Sequence, residues 1–404
     1  VVERLKVNRV EQHQINKNHQ LFQLLDEYSF KSKNLYNYAN YLVRQTFIIT
    51  SNLKDNKELT QEQQSFLNWI NLKVDEFNVK KQEVLKKKQF KGKNLDKQLK
   101  ALDYFHGEHK YLGYDFLEFL CSNSEDYRVL MSQVAQQTLR VLDKNWQSFF
   151  QSMNKWRKCK DGFTGRPKLP KYKHKTKGRF NVYFTNQNCK FVGDSIKFPK
   201  CLNQYLLKTK INGKLQQVRI KPLGSKYLIE IVYQKEIGNL EFESKNICSI
   251  DLGLDNLPTL TNNAGIIPVI INGKPLKSIN QYFNKQKSKI VSILKTNNNK
   301  DWCRSLDILT TKRNNKVKNY LHKASKIIID YCIKNNFDTI VIGNNKGWKQ
   351  EVNLGSRNNQ NFVGIPYHIF IQMIAYKAEN VGIKVIITEE SYTSGTSFLD
   401  GNCL

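Results

Sequence analysis

ICSIDLGLDNLPTLTNN (residues 247–263), followed by IIPVIING (266–273), decides the reading of the C-terminal third of this chain. Both stretches are short β-rich runs broken by Gly and Asn, the pattern of three consecutive strands. Asp251 stands directly after the apolar run Ile247, Cys248, Ser249, Ile250. A carboxylate beside a buried strand needs a partner, because burying an unpaired charge is costly. A capping or ion-paired role satisfies that need, and so does ligation of a metal; the D-x-G pattern alone leaves both open.

Outward from this stretch the periodicity changes. LKSINQYFNKQKSKIVSILK (276–295) and KRNNKVKNYLHKASKIIIDYCIKNN (312–336) read as helices, DTIVIGNN (338–345) as a buried strand. FIQMIAYKAENV (370–381) follows Ile365-Pro366 as a helix and stops before Gly382, the favoured residue just past a helix end. IKVIITEE (383–390) is the last buried strand. Three strands, helix, strand, helix, strand describes a mixed α/β sheet and is the order of the RNase H fold. Glu389 and Glu390 end the last strand. Adjacent strand residues point to opposite faces, so only one of them can share a site with Asp251. Oxygen ligands on strands of one sheet suit Mg²⁺ or Mn²⁺; an exposed acidic strand end is the plainer reading. The amide-rich stretch 344–366 carries Lys346, Trp348, Lys349 and Arg357, which suit either a packed surface loop or a nucleic-acid backbone contact.

The first two thirds differ. VVERLKVNRV (1–10) alternates as a strand does. LFQLLDEYSFKSKNLYNYANYLVRQTFI (21–48), QEQQSFLNWINLKVDEF (61–77) and SQVAQQTLRVLDKNWQSFFQSM (132–153) repeat apolar residues at three- and four-residue steps without proline, as helices do. Residues 155–180, KWRKCKDGFTGRPKLPKYKHKTKGRF, form a basic segment broken by Gly162, Gly165, Pro167 and Pro170. Arg157, Lys158, Lys160, Arg166, Lys168, Lys171, Lys173, Lys175 and Arg179 are candidate phosphate contacts, with Phe163, Tyr172 and Phe180 interleaved for base stacking. Residues 181–237 then read as short antiparallel strands, with a turn at Asn212-Gly213, forming a small barrel or sheet. Residues 238–245 read as a polar linker.

The whole chain has 404 residues, enough for two or three domains. It carries 65 Lys+Arg against 35 Asp+Glu, a formal net charge of +30. A compact chain so basic repels itself unless a polyanion neutralises it, so nucleic acid is the leading partner and an anionic membrane surface the alternative. No run approaches the roughly 18–20 apolar residues of a membrane span, and no secretory signal opens the chain, so the inside of a cell is the expected location. The eight cysteines are scattered without a CxxC pair, which argues against a disulfide framework or a four-ligand zinc site. His106 and His109 are solvated polar residues before they are a metal pair.

SIDLGLDNLPTLTNN, IVIGNNKGWKQ, NQNFVGIP, FIQMIAYKAENVGIKV and EESYTSGTSFLD, in this order between Ser249 and Asp400, resemble the TnpB (OrfB) family of transposon-encoded RNA-guided nucleases, related to Fanzor proteins and type V CRISPR effectors. LYNYANYLVRQTFI and GRPKLPKYKHK look like that family's N-terminal segments. The resemblance implies an α/β protein with β-barrel and helical parts: a wedge-like antiparallel barrel from residues 1–16 and 175–240, an inserted helical recognition domain at 17–174, and a RuvC-like (RNase H fold) nuclease domain at 246–404. It implies a guide RNA and target DNA as partners, Mg²⁺ or Mn²⁺ as cofactor, no membrane association, and a place in the cytoplasm or nucleoid, or the nucleus of a eukaryote.

Asp251 matches the family's first catalytic acid. Gly343, Asn344 and Asn345 stand where much of the family has its second acid. The resemblance is to a branch in which that glutamate has moved to EESYTS, which implies Glu390 as the catalytic and metal-binding residue, with Glu389 as fallback. The third acid lies in a helix beyond SFLD in the family, and Asp400 does not match it. Ser397 and Asp400 replace the first zinc CxxC and Cys403 has no partner, so no zinc is expected and the chain is expected to be C-terminally shortened. A catalytically inactive guide-RNA/DNA-binding remnant or repressor is the alternative expectation.

Overall fold

A computed structural model describes residues 4–89, 112–238, 245–298, 302–344 and 364–389. The chain divides into two compact units, residues 8–234 and residues 1–7 with 235–404.

In the first unit, strand β1 (Arg4–Ile15) leads into helices α1 (Phe22–Lys54) and α2 (Gln61–Gln89). The helices α3 (Tyr114–Cys121), α4 (Glu125–Arg128) and α5 (Ser132–Lys158) follow. Helix α1 buries Leu25, Tyr28, Leu35, Tyr36, Ala39, Leu42 and Val43 along one stripe, as the three- and four-residue spacing requires. Helix α5 meets it with Val134, Ala135, Leu139, Leu142 and Trp146.

The β-rich stretch forms two open sheets, and among the described residues no barrel closes. Strands β2 (Val182–Thr185), β6 (Lys214–Leu223) and β7 (Lys226–Gly238) join β1 in the order β1-β7-β6-β2. The short strands β3 (Lys190–Val192), β4 (Ser195–Lys197) and β5 (Leu206–Lys208) form a separate sheet. The expected barrel is therefore corrected to a helix-backed open sheet, for a packing reason. Val182, Phe184, Val218, Ile220, Ile229 and Ile231 share one buried cluster with the apolar residues of α1 and α5. Once helices cover that face, the sheet has no need to curl onto itself to bury it. The tight hairpin lies at Gly224-Ser225, where Leu223 pairs with Lys226 and Gly224 takes a φ of +59°, a sign that favours glycine in two-residue loops. Asn212-Gly213 instead precedes β6 without pairing β5 to it.

In the second unit, β8 (Ile247–Leu252), β9 (Asn256–Asn262) and β10 (Val269–Asn272) run antiparallel in sequence. Helices α6 (Lys274–Asn298) and α7 (Arg304–Lys334) lead to β11 (Thr339–Gly343), and α8 (Tyr367–Asn380) leads to β12 (Lys384–Thr388). The sheet order is β10-β9-β8-β11-β12, with β11 parallel to both its neighbours. Cys248, Ile250, Leu252, Ile340 and Ile342 are buried in one cluster with Val317, Leu321, Ile328 and Cys332 of α7 and Phe370 and Ile374 of α8. Gly382, with a φ of +83°, ends the turn after α8 as the sequence predicts.

Candidate functional site

Asp251 lies on β8, the middle strand of its sheet. Along β8, Cys248, Ile250 and Leu252 are buried whereas Ser249 and Asp251 are exposed, so the period-two alternation turns Asp251 away from the helix-covered face. Its pair on β9 is Thr259. On the other side Ile250 is level with Ile342 of β11, and Gly343 is level with Thr388 of β12. One further step along this ladder sets Asp251 level with Gly343. The neighbours at that level are thus a hydroxyl on each flank and a glycine with no side chain, which leaves room above the sheet for a ligand of the carboxylate.

The turn after Asp251 is tightly held. The Gly253 amide donates to the Leu257 carbonyl at 3.2 Å, and the Tyr367 hydroxyl donates to the Gly253 carbonyl at 2.9 Å. Gly273 donates its amide to the Asp255 carbonyl at 2.6 Å. A Cβ on Gly253 would sit 2.6 Å from the Asn256 carbonyl oxygen, and one on Gly273 2.1 Å from that of Leu254. Both positions therefore require glycine. Asp255 is engaged by Lys277 at 3.0 Å, so it serves the turn, whereas Asp251 is the carboxylate turned outward on the strand itself.

The two candidate glutamates separate on strand parity. Thr388 shares Asp251's face, so Glu389, the next residue and an exposed one, is given by alternation to the other face. Continuing that alternation, Asp251 and Glu389 stand two strands apart, roughly 10 Å at ~4.8 Å per strand, with Glu389 counted to the other face. Glu390, Lys346, Trp348, Lys349, Asp400, Cys403 and the His106/His109 pair lie outside the described residues. Among the described residues no three His, Cys, Asp or Glu side chains are grouped to hold a metal ion.

In the other unit the basic segment is a strap laid along α1. Phe180 donates its amide to the Ser29 carbonyl at 3.0 Å. Lys33 donates to the Lys175 carbonyl, and Asn40 to the Pro170 carbonyl at 3.2 Å. Asn37 grips Lys173 twice, donating to its carbonyl and accepting from its amide, both at 2.8 Å. Positions 33, 37 and 40 repeat at helical spacing, so one polar stripe of α1, together with the backbone carbonyl of Ser29, supplies the missing hydrogen-bond partners of a strand-like segment. Burial beside Phe30 holds the Lys33 ammonium below the ordinary lysine range. The stripe is legible in the sequence, though absent from the reading above: Lys33, Asn37 and Asn40 interrupt the apolar pattern of α1 every three or four residues.

Pinning the strap sorts the candidate phosphate contacts. Arg157, Lys158, Lys160, Arg166, Lys168, Lys171 and Lys175 are exposed, and Lys173 is half-buried over Tyr36 and Phe180. Arg179 is committed elsewhere. It donates to both carboxylate oxygens of Asp26 at 2.9 and 2.7 Å, and the Tyr227 hydroxyl donates to the same Asp26 at 2.7 Å. The Arg179 bonds hold the Asp26 carboxyl below the usual carboxylate range. Of the interleaved aromatics, Phe180 is a core residue stacked on Tyr36 at 4.3 Å between ring centres. Tyr172 is exposed beside Arg44 at 5.5 Å, and Trp156 stands beneath Lys160 and Arg166 at 5.3 and 5.9 Å. Exposed cations alternating with aromatic faces suit an unpaired nucleic-acid strand.

Residues 226–349 match the OrfB_IS605 family, described as a probable transposase. The resemblance to the OrfB family is borne out across that segment, which contains Asp251. Two solved structures are similar over nearly the whole chain. A cryo-EM structure of a Cas12f1–sgRNA–target DNA complex is 12% identical with a TM-score of 0.45, covering 97% of this chain and 91% of that one. A cryo-EM structure of a CRISPR-Cas12f ternary complex is 15% identical with a TM-score of 0.30, covering 99% and 91%. No curated protein matches the chain in sequence. Among the described residues no helix is long and apolar enough to cross a membrane.

Proposed function

We propose that this protein, whose residues 226–349 match a transposase family, is an RNA-guided DNA endonuclease with an RNase H-like, RuvC-type nuclease sheet. The observation that carries the proposal is an exposed carboxylate, Asp251, on the middle strand of a β10-β9-β8-β11-β12 sheet, with small neighbours on its face. That sheet has an antiparallel meander and a parallel extension, the arrangement expected of an RNase H fold.

The donor set around Asp251 suits a hard cation as far as it is described, because its in-register neighbours offer hydroxyl oxygen and no thiol or imidazole. Asp251 and Glu390 are the residues proposed to hold Mg²⁺ or Mn²⁺, since the position two residues beyond Thr388, not Glu389, keeps Asp251's parity when the alternation of β12 is continued. When bound, such an ion supplies Lewis acidity for phosphodiester hydrolysis. The strap on α1 holds phosphates through its exposed lysines and arginines, and Tyr172 and Trp156 offer faces to unpaired bases. In this reading sequence choice is left to base pairing with the guide, and the protein recognises backbone and shape.

The test is to purify the protein with the RNA that accompanies it and to assay cleavage of a guide-matched duplex with Mg²⁺. Asp251→Ala is expected to abolish cutting and leave RNA binding intact. Cutting that survives Asp251→Ala removes Asp251 from the site, and the absence of any bound RNA removes the guided reading.

A further inference from the structure

Helices α6 and α7 enclose a groove of about 660 Å³, lined by Tyr282, Phe283 and Gln286 from one helix and Ile308, Lys312 and Lys316 from the other. Tyr282 is 61% exposed, so its ring face is open to a ligand. The charge around it is one-sided. Helix α6 carries six lysines and no acid, and α7 carries eight lysines and arginines against Asp307 and Asp330. Most of the core residues of α7 lie at 317–332, so the segment that lines the groove is not the one that holds the sheet.

We propose that this groove is a binding site for single-stranded RNA, which takes an unstacked base against Tyr282 and its flanking phosphates on Lys312 and Lys316. The inference rests on the RNA-guided reading and adds a contact surface to it. Three features point to this occupant. The volume lies within the range of sites that hold small aromatic ligands, about 300–1,000 Å³. Lys312 and Lys316 are four residues apart and both exposed, so their stems emerge from the same helix face about 5–6 Å apart and can serve a backbone running along the groove. The amide of Gln286 at the wall can accept from or donate to a ribose 2′-hydroxyl, the group that separates RNA from DNA. An acid-poor surface with an exposed ring suits a polyanion with π-faces. It does not suit an apolar peptide, which would leave the cations without partners.

The test uses the full chain stripped of copurified RNA and two probes, fluorescent oligo(rU) and oligo(dT) of equal length, titrated over a range of salt. Tyr282→Ala is expected to weaken rU binding about 5- to 150-fold, the span of one lost base stack, and Tyr282→Phe to restore it. The Lys312→Gln/Lys316→Gln double variant is expected to flatten the slope of log K against log salt by about 1.4, at ~0.7 per phosphate of a single strand. Photocrosslinked rU is expected on peptides from 278–316. The proposal is overturned if rU binds but neither variant changes affinity or slope, if oligo(dT) binds the groove as tightly as oligo(rU), or if Tyr282→Ala alters self-association and not RNA affinity. Each of these outcomes leaves RNA binding by the rest of the chain in place. If wild-type chain binds no RNA at all, the guided reading itself fails.

Discussion

Replacing Asn40 by alanine would cut the strap loose at its buried end. Asn40 is fully buried and bridges two groups from different parts of the chain. Its side-chain carbonyl accepts from the Trp146 indole N–H at 2.9 Å, and its amide donates to the Pro170 carbonyl at 3.2 Å. Truncation leaves the buried indole N–H unsatisfied, at about 1–3 kcal/mol, and deprives the half-buried Pro170 carbonyl of its donor, at about 1–2 kcal/mol. Alanine's higher helix propensity returns about 0.5 kcal/mol, so Asn40→Ala is expected to destabilise the 8–234 unit by about 2–5 kcal/mol. Trp146, also fully buried, gives a fluorescence signal for urea unfolding, and at an m of about 2–3 kcal/mol/M the midpoint should fall by ~1 M or more. Trypsin should also cut faster at Lys171, Lys173 and Lys175, which the bond to Pro170 helps to hold down. A double-mutant cycle with Trp146→Phe isolates the shared bond and should show coupling of about 1 kcal/mol. A loss below about 0.5 kcal/mol would refute the account of α1 as the strap's hydrogen-bond template, and an equal loss in the Trp146→Phe background would assign the loss to the bond with Pro170 alone.

Three further outcomes are expected. Asp26 has a folded pKa below its ordinary value, so its pairing stabilises fully above about pH 4 and is lost as pH falls through the lower folded value; Asp26→Asn should lower stability at pH 7 and remove that acid-side dependence, measured as midpoint shifts between pH 2 and 7. Glu390→Gln should abolish cutting while Glu389→Gln leaves it near the wild-type rate, and the reverse pattern in a cleavage assay would show that strand parity does not continue past Thr388. Neutralising Lys171, Lys173 and Lys175 together should reduce the salt slope of RNA affinity by about 2, and an unchanged slope would make the strap plain solvated surface.

The sequence by itself carried the elements and much of their order. Apolar spacing marks α1, α5 and α8 because a helix buried on one stripe must repeat every three to four residues. The run ending at Asp251 marks β8 because a middle strand covered by helices needs Cys248, Ile250 and Leu252 inward. The family motifs run from Ser249 to Asp400, and the match at 226–349 takes in SIDLGLDNLPTLTNN and nearly all of IVIGNNKGWKQ. Tertiary structure decided what spacing cannot encode. A strand-rich stretch looks the same whether it closes on itself or lies against a helix, so the open sheets were visible only once α1 and α5 were in place. Arg179 reads in sequence like its neighbours Lys175 and Lys177, yet Asp26, 153 positions away, claims it. Phe180 reads as a stacking aromatic, yet Tyr36 covers it. Side-chain type is local, but the partner that satisfies a charge or hides a ring is set by long-range packing. Parity works the same way: two adjacent glutamates are equivalent as letters, and the pairing of Gly343 with Thr388 supplies the register from which the faces beyond β12 are counted.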